Sequence, residues 1–221
     1  MTSSTRIIPV RAQPVPDEPI REAADLLLRG GVVAYPTETV YGIGGDPADS
    51  GVIKRIKELK GRNVRKTFLL LVGSRTDLRE YVEEIPETAV PLMDAFWPGP
   101  LTLIFRASAR LPSVLTGPDR RIGFRLSSDP VCAALLRALA MPLISTSANP
   151  EGKPPARSVR EVLDYFPSGL DAVLDGGERI DGDPSTLLDI TRDVPLLLRK
   201  GPVSAETIRS VVGTLEENDT L

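Results

Sequence analysis

Apolar positions along this 221-residue chain alternate between helical and strand spacing. Residues 20–28 repeat their apolar side chains every three to four positions, and Gly30–Gly31 ends that run. Short apolar runs bounded by glycine or proline have the length of buried strands. Val32–Tyr35, Leu101–Phe105 and Ala172–Leu174 are of this kind. The alternation predicts an α/β fold, a single domain with a twisted mixed sheet flanked by helices.

The domain bounds follow from composition. Residues 1–19 are polar and hold four prolines, so we expect an N-terminal extension. Residues 20–213 show no repeat, low-complexity tract or linker and are expected to form the domain. Residues 214–221 are an acidic C-terminal tail that we expect to fray.

Capping residues mark where the helices begin and end. Asp17 is a candidate cap for the first helix, and Asp49 or Ser50 for the second, which Gly61 should end. Ser158 with Glu161, and later Ser204, predict two further helix starts; the former pair has the spacing of a capping box.

Two strands run into turns dense with hydroxyl groups. Pro36 ends the first, and the glycine-rich segment 37–46 follows. The second enters Ser145–Pro150, a run of small polar residues. Polar turns at strand ends are where α/β sheets hold ligands, but plain connecting turns explain these segments equally well.

Positive charge is concentrated in residues 54–66, which hold seven basic residues and one acid in a chain of net charge −3. A solvated helix face is the plain explanation, and it suits Lys54, Arg55 and Lys57. Lys60 lies in the last helical turn, and Arg62, Arg65 and Lys66 follow it in sequence. A second cationic group lies on the predicted strand 120–126, where alternation points Arg121, Gly123 and Arg125 to one side.

Residue types that are missing narrow the chemistry. The chain has no histidine, which excludes Ser-His-Asp catalysis and His-ligated zinc. One cysteine, Cys132, forms neither an internal disulfide nor a Cys-rich metal site, and its apolar helical surroundings predict a small core residue. No apolar run is long enough to span a bilayer, and residues 1–19 lack the apolar core of a signal peptide. We expect a cytoplasmic protein with no membrane partner and no protein-held metal, suited to phosphate-bearing substrates.

Several short motifs in a fixed order resemble the YrdC-like family. They are Pro36–Gly42, Lys60-x-Arg62-x-x-x-Lys66, Trp97–Thr102, Ser147–Asn149, Ser185–Thr186 and Leu198-Arg199-x-Gly201. Each motif alone is weak, but their order is specific, and they span nearly the whole chain. The chain length resembles the short, single-domain members.

The resemblance implies a large, positively charged concave cavity in the sheet. It also implies a nucleotidyltransferase: L-threonine, bicarbonate and ATP would give threonylcarbamoyl-AMP and pyrophosphate, with Mg²⁺ carried mostly by the phosphates. The product would serve the threonylcarbamoyladenosine modification of tRNA. Downstream threonylcarbamoyl-transfer proteins, and tRNA itself, are the implied partners.

The resemblance also implies site residues. The group with a catalytic role, holding the polyphosphate, is Lys60, Arg62 and Lys66. Further ATP contacts fall on Ser147, Asn149 and Arg199. Threonine contacts fall on Thr37, Arg125, Ser145 and Ser185, with Arg125 as the partner of the amino-acid carboxylate.

This sequence departs from the family pattern at a few positions, and two other functions stay open. Thr67–Phe68 replaces a common Pro-Leu, and ATP-contacting hydroxyls of the family fall on Arg121 and Pro155. These positions leave the nucleotide's pose open. A non-catalytic RNA-binding module would use the same cationic residues for backbone phosphates. A carbamoyl-transferring relative is the other alternative.

Overall fold

A computed structural model describes residues 4–61, 68–180 and 182–218, and its strands join in one sheet. The strands are β1 (Arg6–Pro9), β2 (Val33–Tyr35), β3 (Gly42–Gly44), β4 (Leu69–Leu71), β5 (Leu101–Arg106), β6 (Arg121–Arg125), β7 (Leu143–Ser147), β8 (Ala172–Asp175), β9 (Thr186–Asp189), β10 (Leu196–Arg199) and β11 (Glu216–Glu217). Their order across the sheet is β1-β8-β2-β3-β7-β4-β6-β5-β9-β10-β11.

Helices fill most connections between the strands. They are α1 (Asp17–Leu28), α2 (Ser50–Lys60), α3 (Arg75–Leu78), α4 (Ala89–Phe96), α5 (Ser113–Thr116), α6 (Pro130–Leu139), α7 (Val159–Tyr165) and α8 (Ala205–Val212). No helix of the described residues is long and apolar enough to cross a membrane.

The pairing of the strands is mixed, as the sequence predicts. Strand β2 runs parallel to β8 but antiparallel to β3, and β5 runs parallel to β9 but antiparallel to β6. Strands β9 and β10 pair antiparallel. The α/β fold class with a mixed sheet and flanking helices is confirmed.

Two apolar clusters pack against opposite faces of the sheet. Alternate residues of β2 divide between them: Ala34 joins one cluster, and Val33 and Tyr35 join the other. Helices α1 and α6 cover the second cluster together, and Cys132 of α6 is buried in it as a small core residue. Trp97, the only tryptophan of the chain, is buried in the first cluster, and its Nε1 donates to the Leu101 carbonyl at 2.7 Å.

Local capping chemistry explains most helix ends. Asp49 caps α2 by accepting from the amides of Gly51 and Val52, and Gly61 ends it in the left-handed conformation, with φ of 61°. Ser158 and Ser204 cap α7 and α8. The predicted Asp17 cap is wrong, because Pro16 occupies the cap position and Asp17 lies inside the first turn, where its charge favours the helix dipole.

The sheet extends beyond residues 20–213 at both ends. Strand β1 pairs with β8 inside the expected N-terminal extension, and Ile8 is buried there. The expected fraying of the acidic tail is wrong for residues 215–218. Leu215 is buried, and β11 pairs with β10. The burial of the leucine and the pairing of these two strand residues hold the segment on the sheet edge.

Candidate active site

The loop after β2 is built around the hydroxyl of Thr37. That oxygen accepts from the amides of Thr39 (3.1 Å) and Val40 (3.2 Å) and donates to the Val40 carbonyl (2.6 Å). A threonine hydroxyl that closes a turn in this way fixes the loop without help from distant residues. Thr37 and Thr39 thereby become buried parts of a pocket wall.

Strand β6 delivers Arg125 to the same pocket. The side chain is 4% exposed, and its Nη1 donates to the Thr39 hydroxyl at 3.2 Å. Gly123, two residues earlier on the same face, leaves room beside it: a Cβ there would lie 2.9 Å from Thr102 Cγ2. The predicted alternation along this strand is confirmed for Gly123 and Arg125.

Strand β7 supplies a row of hydroxyl groups opposite the Thr37 loop. Ser145, Thr146 and Ser147 all line the pocket, and Ser147 lies opposite Gly42 of β3. A Cβ at Gly42 would approach the Tyr35 ring at 3.1 Å and the Ser145 hydroxyl at 3.3 Å. The glycine therefore keeps the hydroxyl row accessible from the pocket.

Strands β9 and β10 close the far side with Ser185 and Arg199. Arg199 Nε donates to the Ser185 carbonyl at 2.9 Å, and its Nη2 donates to the Ser185 hydroxyl at 3.1 Å. Ser185 also shares a hydrogen bond of 2.8 Å with Thr102. Because the arginine grips both the backbone and side chain of Ser185, the two residues act as one unit.

These strands and loops enclose a pocket of about 720 Å³, counting its open mouth. Its lining contains two cationic side chains, Arg125 and Arg199, and no carboxylate among the described residues. Hydroxyl groups supply most of the other polar atoms. Such a lining favours an anionic ligand with polar substituents. Six predicted site residues meet here: Thr37, Arg125, Ser145, Ser147, Ser185 and Arg199.

Lys60 stands behind the hydroxyl row rather than in the pocket lining. Its side chain is buried, and its ammonium donates to the Ser147 carbonyl and, at 3.1 Å, to Asn149 Oδ1. Asn149 Oδ1 also accepts from the Ser147 hydroxyl at 2.6 Å. Lys60 therefore holds in place the turn that contains Ser147 and Asn149, two of the predicted ATP-contacting residues. It acts on the site through these hydrogen bonds.

The rest of the basic segment divides in an unexpected way. Lys54 and Lys57 are on the wet face, as predicted, but Arg55 joins α2 to the loop before β8. Its guanidinium donates to the Gly169 carbonyl at 2.7 Å and pairs with Asp171 at 2.9 Å. The predictions for Arg62 and Lys66 lie outside the described residues.

Of the departures from the family pattern, Phe68 lines the pocket, whereas Arg121 and Pro155 do not. Arg121 pairs with Asp189 at 2.9 Å and with Asp119 at 3.1 Å. Arg121 lines a separate cleft beside the start of β6. Pro155 is absent from the pocket lining.

Two tyrosines and the cysteine near the pocket are held in their neutral forms. Burial raises the pKa of Tyr41 to about 12, with the charge of Asp175 adding to the shift. Burial also raises the pKa of Tyr35, whose hydroxyl donates to the Ile144 carbonyl at 3.0 Å. The pKa of the Cys132 thiol is raised well above its ordinary value by burial, so this thiol is a poor nucleophile.

Sequence reasoning missed two residues of the Thr37 loop. Thr39 lines the pocket and holds Arg125, and only its place in a hydroxyl-rich loop hinted at this. Glu38 lies between the two threonines and pairs with Arg125 from behind, with Glu38 Oε1 3.7 Å from Arg125 Nε. A single carboxylate in a turn belongs to no repeating sequence pattern, so nothing in the sequence indicates its contact with Arg125.

The fold and pocket together define an α/β ligand-binding domain whose site suits a polar, anionic ligand. A family model, that of Sua5, YciO and YrdC, described as telomere recombination, matches residues 25–201. The chain belongs to this family.

Known relatives share the fold and much of the sequence. A threonylcarbamoyl-AMP synthase of Pyrococcus abyssi is 37% identical over 211 residues, covering 96% of this chain and 62% of that protein. Another, of Halorhodospira halophila, is 41% identical over 157 residues, covering 71% of this chain and 82% of that protein. The crystal structure of P. abyssi Sua5 complexed with L-threonine matches with a TM-score of 0.93, covering 97% of this chain and 63% of that one. The chain therefore spans less than two thirds of the length of the P. abyssi relative.

Proposed function

We propose that this protein is a threonylcarbamoyl-AMP synthase, a nucleotidyltransferase that joins L-threonine, bicarbonate and ATP into threonylcarbamoyl-AMP and pyrophosphate. The observation that carries the proposal is the pocket. Four residues expected to contact threonine and two expected to contact ATP line one cavity. Relatives of this name are 35–41% identical to the chain.

In the proposed mechanism, Arg125 binds the carboxylate of L-threonine. A guanidinium holds a carboxylate through two parallel hydrogen bonds, which fixes the orientation of the amino acid. Thr37, Ser145 and Ser185 then surround the rest of the substrate, with Thr37 acting as a shaped wall because its hydroxyl is engaged within the loop. The oriented amine loses a proton and attacks the bicarbonate carbon, and water leaves that carbon.

The second step is phosphoryl chemistry. A carbamate oxygen attacks the α-phosphate of ATP, and pyrophosphate leaves. Such reactions depend on positioning and charge neutralisation, which suits a site without histidine. Arg62 and Lys66 neutralise the polyphosphate, Arg199 and Ser147 place the nucleotide, and Lys60 holds Ser147 and Asn149 in position.

Mg²⁺ enters the proposal only with the nucleotide. The described pocket lining offers no carboxylate, and no group of three or more acidic or cysteine side chains among the described residues is placed to hold a metal ion. A protein-held magnesium site therefore does not fit these residues, and no step is assigned to the ion. We place the protein in the cytoplasm, with the product consumed by threonylcarbamoyl-transfer proteins that act on tRNA.

The test is turnover with defined substrates. The protein is incubated with ATP, bicarbonate and single amino acids, and pyrophosphate and an adenylate of the threonylcarbamoyl mass are measured. Among the amino acids tested, we expect only L-threonine to give both products. Equal turnover with serine would overturn the substrate assignment. RNA binding that weakens steeply with salt, without threonine-dependent turnover, would favour an RNA-binding module instead.

Arg125→Gln is the first variant to compare. We expect it to lose about 2–5 kcal/mol of L-threonine binding, because a buried charge pair with the substrate carboxylate is removed, and to retain ATP binding. Arg121→Gln is the matched control, since Arg121 lies on the same strand but is paired outside the pocket. Calorimetric titration with L-threonine and with ATP separates the two effects. Unchanged L-threonine affinity in Arg125→Gln would contradict the role of Arg125.

A further inference from the structure

Glu38 faces the back of Arg125, on the side away from the pocket. Its Oε1 lies 3.7 Å from Arg125 Nε, yet Glu38 is absent from the pocket lining. The side chains are 15% and 4% exposed, so this pair is largely shielded from water. At such depth the attraction between opposite charges is much stronger than at the surface.

The two facing atoms are unusual because neither makes a hydrogen bond. Glu38 Oε1 and Arg125 Nε are both buried polar atoms without a partner among the described residues. An unpaired buried polar atom is costly, and such atoms in a folded protein call for an explanation. Here the two atoms belong to oppositely charged groups and face each other. The attraction between the charges explains why both atoms stay buried without a hydrogen bond.

The guanidinium of Arg125 is therefore restrained on two edges. Nη1 donates to Thr39, and Nε faces Glu38. Nη2 makes no hydrogen bond within the described residues. Unlike Nε, it is not fully shielded from solvent. The edge that contains Nη2 is consequently the part of the arginine that a ligand in the pocket can reach.

Glu38 is itself anchored to an element outside the pocket. Its Oε2 accepts from the Ser127 hydroxyl, and Ser127 Oγ accepts from the Asp129 amide at 3.2 Å. Asp129 caps α6 through the amides of Val131 and Cys132. The carboxylate that faces Arg125 is thus held by the start of a buried helix.

We propose that Glu38 is a positioning residue that orients Arg125 for the carboxylate of the amino-acid substrate. This inference rests on the proposed function of the pocket. Without the carboxylate, only Thr39 would restrain the guanidinium, and its plane would rotate away from the orientation needed for two parallel hydrogen bonds. Glu38 acts through Arg125, so its effect belongs to amino-acid binding rather than to ATP binding.

Glu38→Gln tests this role, because glutamine keeps an oxygen for Ser127 and removes the charge. We expect calorimetry to show L-threonine affinity falling about tenfold, equivalent to ~1.4 kcal/mol. The KM for L-threonine should rise with it, whereas the KM for ATP should stay close to the parent value. Asp189→Asn is the control, since Asp189 is a buried acid paired with Arg121 outside the pocket. It should leave L-threonine affinity unchanged.

A double-variant cycle decides whether Glu38 acts through Arg125. In an Arg125→Gln background, Glu38→Gln should cause no further loss of L-threonine affinity. An equal further loss, or an equal loss of ATP affinity in the single variant, would overturn the positioning role. Unchanged L-threonine affinity in Glu38→Gln would also overturn it while leaving the proposed function intact. No L-threonine binding by the parent protein would overturn both proposals.

Discussion

Lys60 is a fully buried cation at the end of α2, and two neutral oxygens accept hydrogen bonds from its ammonium. The ammonium donates to the Ser147 carbonyl and to Asn149 Oδ1. Hydrogen bonds from a charged donor are stronger than neutral ones, and losing a buried partner leaves the remaining groups unsatisfied. The lysine therefore contributes both to stability and to the position of the turn after β7.

Lys60→Met should lower stability and activity together. Methionine keeps an unbranched stem of similar length but leaves the Ser147 carbonyl and the Asn149 side chain without this donor. We expect a loss of about 1–3 kcal/mol in the free energy of unfolding, measured in urea, and a weaker affinity for ATP. Lys54→Met is the control on the same helix, since the Lys54 side chain is 78% exposed. Parent-like stability of Lys60→Met would show that the buried ammonium is not structural.

At the scale of elements, α2 is bounded by local chemistry at both ends. Asp49 satisfies two amides at its start, and Gly61 turns the chain out of the helix with φ of 61°. A Cβ at Gly61 would meet nothing within 4 Å, so the backbone conformation alone requires glycine there. The helix end matters for the site because Lys60 directly precedes this glycine.

Two substitutions at Gly61 should differ in cost. Gly61→Val places a branched side chain in the left-handed region and should destabilise the protein by about 1–2 kcal/mol. Gly61→Asn should cost less, because asparagine tolerates this conformation. Thermal or urea unfolding measures both. Equal stability of the two variants would show that the helix end relaxes to another conformation.

Most helix ends and most internal strands were predictable because their causes are local, whereas β3 lies in a segment whose sequence predicts a glycine-rich turn. Asp49, Gly61 and Ser158 mark turns within a few residues of themselves, and alternation along β6 placed Arg125 and Gly123 on one face. Strands β1 and β11 were missed because they are four and two residues long and are held by distant partners. Nothing in the local pattern of either segment distinguishes an edge strand from a polar extension.

The candidate site was predictable to a similar degree, mainly through the resemblance. Thr37, Arg125, Ser145 and Ser185 are together in the pocket, as the motif order implied. The Thr37 hydroxyl is engaged by hydrogen bonds within its own turn. Lys60 is held behind the site by a hydrogen bond to Ser147, which is far away along the chain. Sequence spacing alone contains no information on such contacts.

At the scale of the whole molecule, the pocket draws on both halves of the chain. The Thr37 loop and the β9–β10 pair meet across β6 and β7, so the cavity exists only when the sheet is complete in this region. The protein is acidic overall, whereas the described pocket lining contains two arginines and no acid. Such a contrast directs anionic substrates toward the cavity.

Removal of residues 1–10 should destabilise the whole domain. It deletes β1, leaves β8 as an uncovered sheet edge, and removes the buried side chains of Ile8 and Val10. Ile8→Ala alone should cost about 2–5 kcal/mol. Ile7→Ala, at a side chain that is 53% exposed, should cost little and serves as the control. Urea unfolding measures each, and parent-like stability of the shortened protein would show that the domain does not need β1.

The burial of Trp97 has a practical consequence for all of these measurements. As the only tryptophan of the chain, it is the sole emitter excited at the red edge of the protein absorption band. Its indole lies in the core and forms no part of the pocket lining. Its fluorescence should therefore report loss of the fold and stay silent when substrates bind, which separates a stability defect from a binding defect in a single sample.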